Sequence, residues 1–139
     1  MSDMFLQKFR DVVPKHLSTP WETEDGLTHA VLDAELAHPV PLALREFYQA
    51  LGNSELMEAY YFFWDPDELE HDEGYLLFLE DEEEEHTWGI RVDQIDVPDP
   101  LVWRRNNAKG SWICEEGTFS EFVLDYFDWV FSDEDDDED

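Results

Sequence analysis

Apolar positions along this 139-residue chain change their spacing twice. Over residues 2–17, Phe5, Phe9, Val12 and Val13 recur near the helical period, which predicts a short helix that Pro14 interrupts towards its end. Leu27, Val31, Leu32 and Leu36 then mark one face of a helix over 27–36, with Asp25 or Thr28 as its candidate cap. His38-Pro39-Val40-Pro41 breaks that helix. Pro41 is placed as the first-turn proline of a third, in which Leu44, Phe47, Tyr48 and Leu51 fall at i, i+3, i+4 and i+7. Gly52 follows where a left-handed terminator belongs.

From residue 58 the spacing gives way to dense apolar runs of strand length. Residues 59–64, 74–79 and 87–92 are predicted strands, linked closely enough to be antiparallel neighbours. Shorter strands over 101–103 and 112–114 are joined through Asn106-Asn107-Ala108-Lys109-Gly110. Between the second and third strands lies Glu80-Asp81-Glu82-Glu83-Glu84-Glu85; six successive acids are expected to stay in water, which predicts a solvated hairpin loop. The spacing changes back at Phe119, Phe122, Val123, Tyr126, Phe127 and Val130, an amphipathic helix with Thr118 and Glu121 as a capping box and Phe122 expected against the sheet. It is expected to end at Ser132. Residues 133–139 are all acidic and have no apolar anchor, so they read as a disordered tail.

Helices, then strands, then a helix define an α+β fold, in which an antiparallel sheet is flanked by N-terminal helices and a C-terminal amphipathic helix. The expected organisation is a single domain over 1–132, with a helical part over 1–52, the sheet over 58–115 and the last helix over 118–131.

Composition sharpens this picture. A content of 42% apolar and 15% aromatic residues argues against global disorder. Against 37 Asp and Glu stand only 8 Lys and Arg, a net charge of -29, so direct binding to nucleic acid or an anionic membrane is not expected. The longest apolar runs, such as residues 59–64, are far shorter than the roughly 20 residues of a membrane helix. The first residues lack the basic and apolar regions of a secretory signal, and Cys114 has no second cysteine to pair with, so a cytoplasmic location is expected.

Few residues suggest chemistry. The histidines, at 16, 29, 38, 71 and 86, show no His-Glu-x-x-His spacing, so no metal site is expected. No glycine-rich phosphate loop or Gly-x-Ser-x-Gly elbow is present, and Cys114 lies in an apolar strand pattern as an inert thiol. No catalytic residue and no cofactor are assigned, which argues against an enzyme. Asp65, Asp67, Glu68 and Glu70 lack the Asp-x-Asp-x-Asp-Gly pattern of a calcium loop and read as a solvated turn. Trp64, Trp88 and Trp112 fall in strand patterns as core residues; Trp21 and Trp103 lie beside turns, where exposure suits an interface.

The ordered set of motifs resembles the SUKH superfamily, which takes in the yeast cell-wall synthesis regulator and many bacterial immunity proteins. It runs from Glu35 through Pro41-Leu42, Leu44, Arg45, Phe47 and Tyr48 to Gly52-Asn53. It continues with an aromatic strand, Gly74-Tyr75-Leu76-Leu77-Phe78-Leu79, Trp88-Gly89-Ile90-Arg91, Asp99-Pro100-x-Val102, Trp112 and Phe119-Ser120-Glu121-Phe122. The resemblance spans about residues 27–131. The N-terminal helix and the acidic tail depart from the pattern, as does Gly52-Asn53 where many relatives read Asn-Gly. It implies an antidote that binds a cognate toxin, often a nuclease, and brings no catalytic residues with it.

The chemistry agrees with that role, because a nuclease site attracts phosphate and carboxylates can occupy it. The expected partner is therefore a basic toxin domain, met by Asp81, Glu82, Glu83, Glu84 and Glu85, by Asp65, Asp67 and Glu68, and by Trp103, with a monomer favoured. The alternatives are a regulatory interaction scaffold without a toxin partner and, more distantly, a carboxylate-dependent hydrolase.

Overall fold

The computed structural model describes residues 5–36, 39–58 and 61–136. Helix α1 (Leu6–Leu17) continues through Pro14. Proline removes one N–H and crowds the carbonyl four residues back. Phe9, Val12 and Val13 are nevertheless buried on one side of the helix, and that packing holds the last turn in place. Helix α2 (His29–Glu35) starts at Thr28, whose hydroxyl accepts the Val31 N–H at 3.2 Å.

Helix α3 (Leu42–Leu51) uses Pro41 as its N-cap, one place earlier than expected, and buries Leu44, Phe47, Tyr48 and Leu51. Gly52 is not left-handed: its φ is -61°. The residue is glycine because of a close approach, since a Cβ there would lie 2.8 Å from the Leu27 side chain and 2.6 Å from the Tyr48 carbonyl.

Among the described residues the sheet has six strands, and every pairing is antiparallel. They are β1 (Phe62–Phe63), β2 (Glu70–Asp72), β3 (Tyr75–Glu80), β4 (His86–Arg91), β5 (Leu101–Asn106) and β6 (Ser111–Thr118). The order is β1-β3-β4-β5-β6, and β2 pairs with the first half of β3 beside β1. The predicted strand over 59–64 is thus reduced to β1; Ala59 and Tyr60 lie outside the described residues. Strand β2 lies where the sequence suggested only a turn. Glu73 (φ 57°) and Gly74 (φ 87°) close it onto β3 as a two-residue hairpin loop, a conformation glycine adopts without strain.

Helix α4 (Phe119–Asp136) opens with the expected capping box: the Thr118 N–H donates to Glu121 at 3.2 Å and the Glu121 N–H to the Thr118 hydroxyl at 3.4 Å. Asp99 adds a second anchor, accepting the Ser120 N–H at 2.8 Å and its hydroxyl at 2.6 Å. The helix does not stop at Ser132. Its backbone runs on to Asp136, because extending an established helix costs little even where acids oppose its dipole. Asp137, Glu138 and Asp139 lie outside the described residues.

One face of the sheet carries the helices. Phe9, Phe47, Phe63, Phe78, Phe119 and Phe127 meet there in edge, tilted and stacked contacts with centroids 4.8–6.4 Å apart. Phe122 is only half-buried, packed 6.2 Å from Trp88 at the margin, while Phe119, Val123 and Phe127 reach the centre. On the other face Tyr75 stacks on Trp112 at 3.7 Å and meets Trp103 at 6.1 Å. Trp112 is therefore half-buried rather than core, Trp64 is half-buried against the edge of the core, and of the three predicted core tryptophans only Trp88 is buried. Among the described residues no helix is long and apolar enough to cross a membrane.

Candidate functional site

Two acidic segments meet at one rim of the sheet. The first follows β1, where Asp65 leads into a single turn, Pro66–Glu68, and its N–H donates to the Glu68 carboxylate at 3.0 Å. Pro66 is buried and anchors the turn, while Asp65, Asp67 and Glu68 are exposed. Tyr48 ties the segment to α3 by donating its hydroxyl to the Trp64 carbonyl at 2.6 Å.

The second segment is the β3–β4 hairpin. Glu82, Glu83, Glu84 and Glu85 are exposed, but Asp81 is buried, 9% accessible, which corrects the expectation that all six acids stay in water. The physical reason is hydrogen bonding. The Asp81 carboxylate accepts the Glu85 N–H at 2.8 Å and the His86 Nδ1 at 3.1 Å, so its charge is met inside the turn. Asn107 braces the tip from the β5–β6 loop: its side-chain amide donates to the Glu84 carbonyl at 2.8 Å and its N–H to the Glu85 carbonyl at 2.9 Å.

Glu80 joins the two segments. With Trp64, Asp67, Glu68, Leu69 and Glu70 it lines an open cleft of about 370 Å³. Partial burial raises its affinity for a proton, and the charges of Glu84, Asp81 and Glu68 add to that. The Trp64 indole N–H works in the opposite direction, although it stops short of hydrogen-bond geometry. Asp65 is raised as well, by partial shielding of its carboxyl and then by Glu68, Asp67, Glu35 and Glu58. Burial also pushes Asp81 upward, but the Glu85 amide and the His86 ring outweigh it and hold Asp81 below the ordinary value.

Of the predicted contact residues, Asp81 and Glu82 to Glu85 stand on the hairpin and Asp65, Asp67 and Glu68 on the turn after β1, with Glu80 linking the two, and one residue lies apart from both. Trp103 stands in β5 on the opposite face of the sheet, beside Tyr75 and across from Cys114. Among the described ion pairs, none joins a Lys or Arg to Asp65, Asp67, Glu68, Glu82, Glu83, Glu84 or Glu85. Sequence reasoning missed Glu80, Trp64, His86 and Asn107. The available signal was the Asp81/His86 pair bracketing the loop, which matches a carboxylate that folds back on its own hairpin.

No protein-family model matches the chain, and no curated protein and no solved structure matches it. The class that the fold defines is an α+β protein with a helix-covered antiparallel sheet.

Proposed function

We propose that this is a non-enzymatic protein-binding domain, an immunity-type antidote that captures a basic, nuclease-type toxin through the acidic rim. The observation carrying this reading is the run of exposed carboxylates at Glu82 to Glu85, held on a braced hairpin beside Asp67 and Glu68, with no Lys or Arg paired to them among the described residues. Such charges attract a basic surface over long range and speed encounter. They also place oxygens where a nuclease would hold phosphate.

Capture from the native host tests it. Immobilised protein should retain a basic protein that the Glu82→Gln, Glu83→Gln, Glu84→Gln, Glu85→Gln variant retains poorly. The variant still carries -29 + 4 = -25, so proteins held only by overall charge should bind both alike. Equal retention of every captured protein would contradict the rim as the interface. The rival reading, a regulatory scaffold, predicts a partner without toxic activity; a toxin-domain gene beside this one favours the antidote.

A further inference from the structure

We propose that the tip of the β3–β4 hairpin binds one first-row divalent metal ion of the zinc type through Asp81, Glu85 and His86. A ligand atom from each of the three lies within 4.8 Å of the others. The ligand set is mixed, with one imidazole nitrogen and two carboxylates, and one of those carboxylates belongs to a buried residue.

The spacing already suits an ion. Asp81 Oδ2 and His86 Nδ1 are 3.1 Å apart. Two ligands on a tetrahedral ion with bonds of about 2.1 Å would be about 3.4 Å apart. A metal can therefore replace the hydrogen bond between them once the two groups part by about 0.3 Å. Binding would take Nδ1 as the unprotonated donor and leave the ring proton on Nε2, with any second proton released to solvent. The other Asp81 oxygen keeps the Glu85 N–H at 2.8 Å, an outer contact that fixes the carboxylate.

Access and selectivity follow from the same residues. Glu84, Glu85, His86, Asn106, Asn107 and Ala108 line an open cleft of about 440 Å³ beside the tip, which leaves room for water in the remaining coordination positions. An imidazole ligand favours Zn²⁺, Co²⁺ or Ni²⁺ over the oxygen-seeking Ca²⁺ and Mg²⁺. That separates this site from the solvated carboxylates around it, which have no such preference.

Calorimetric titration of the full chain with Zn²⁺ in excess Mg²⁺ tests the inference. One binding event per chain is expected, weakened about tenfold or more by His86→Gln, since loss of an outer partner alone commonly costs 10- to 100-fold. Glu83→Gln should leave the event unchanged. An event of undiminished affinity in His86→Gln, its removal by Mg²⁺, or the lack of any such event in the wild-type chain would overturn the site. A second reading uses the wild-type chain alone and does not depend on a variant folding. Histidine resonances followed during the titration should move first at His86, and a first response at His16, His29 or His71 would also overturn it.

Discussion

The turn after β1 and the hairpin between β3 and β4 are both acidic, yet they handle charge in opposite ways. In the turn Asp65 is surrounded by other carboxylates and takes up a proton more readily than usual. In the hairpin Asp81 is more deeply buried and holds its proton less tightly, because an amide and an imidazole face it. The number of neighbouring acids does not decide the state of a carboxylate; the donors within reach do. The hairpin thus spends one acid on building a rigid tip and displays four others, whereas the turn relies on Pro66 packing for its shape.

The sharpest break in this comparison is Asp81→Ala. It leaves the Glu85 N–H and the His86 ring without their partner, and should cost about 1–3 kcal/mol in chemical denaturation at neutral pH. No change in the midpoint would mean that the tip does not depend on Asp81.

The pH dependence of stability should separate the two segments further. Asp65 and Glu80 bind protons more tightly when folded, so their contribution to stability rises as pH falls through their folded values towards the unfolded 3.8 and 4.5. Asp81 acts in the opposite sense: its contribution is complete above the unfolded 3.8 and is lost as pH falls through its lower folded value. His16, packed against Phe131, is lowered by burial and loses stability as pH falls from 6.5 through its folded value; in wild-type-minus-variant differences that slope cancels. The difference between wild type and Asp81→Ala should therefore be flat near neutral pH and close only below about pH 4. A difference that closes between pH 7 and 5 would contradict the assignment to Asp81.

Glu80→Gln should have a smaller effect. Removing a repelled charge while keeping an oxygen beside the Trp64 indole should leave stability at pH 7 unchanged or raise it by up to about 0.5 kcal/mol. It should also abolish part of the gain seen on acidification. A clear loss at pH 7 would show that the Glu80 charge is compensated after all.

Smallest of all should be the effect of removing residues 133–139, which takes the net charge from -29 to -29 + 7 = -22. Acids at the end of α4 oppose the helix dipole, so thermal stability should hold or rise slightly, more at low salt. A fall on truncation would show that this last stretch docks on the rest of the protein.

The patterns visible in the sequence were those with a strong period or a local cap. The apolar faces of α3 and α4, the Thr118–Glu121 capping box and the β3–β4 pairing all belong to that class. Strand β2 was hidden because Glu70, His71 and Asp72 are all exposed at the sheet edge and carry no alternation. Helical spacing chose the face of α4 correctly, but it could not tell that Phe119 and Phe127 reach the centre while Phe122 lies at the margin. At the rim, the acidity of the loop was legible; the burial of Asp81 was not, since it depends on an amide four residues away and on Asn107 bracing the tip from another strand pair. Trp103 was misplaced because closeness to a turn does not say which face of a strand a residue occupies.

The central claim is that the hairpin carboxylates steer a basic partner. Its most direct test is the association rate of the captured partner with wild type and with the fourfold Gln variant over a range of salt concentrations. The account predicts slower association and a flatter salt dependence for the variant, with dissociation changed less. Equal rates and equal salt slopes for the two proteins would contradict it.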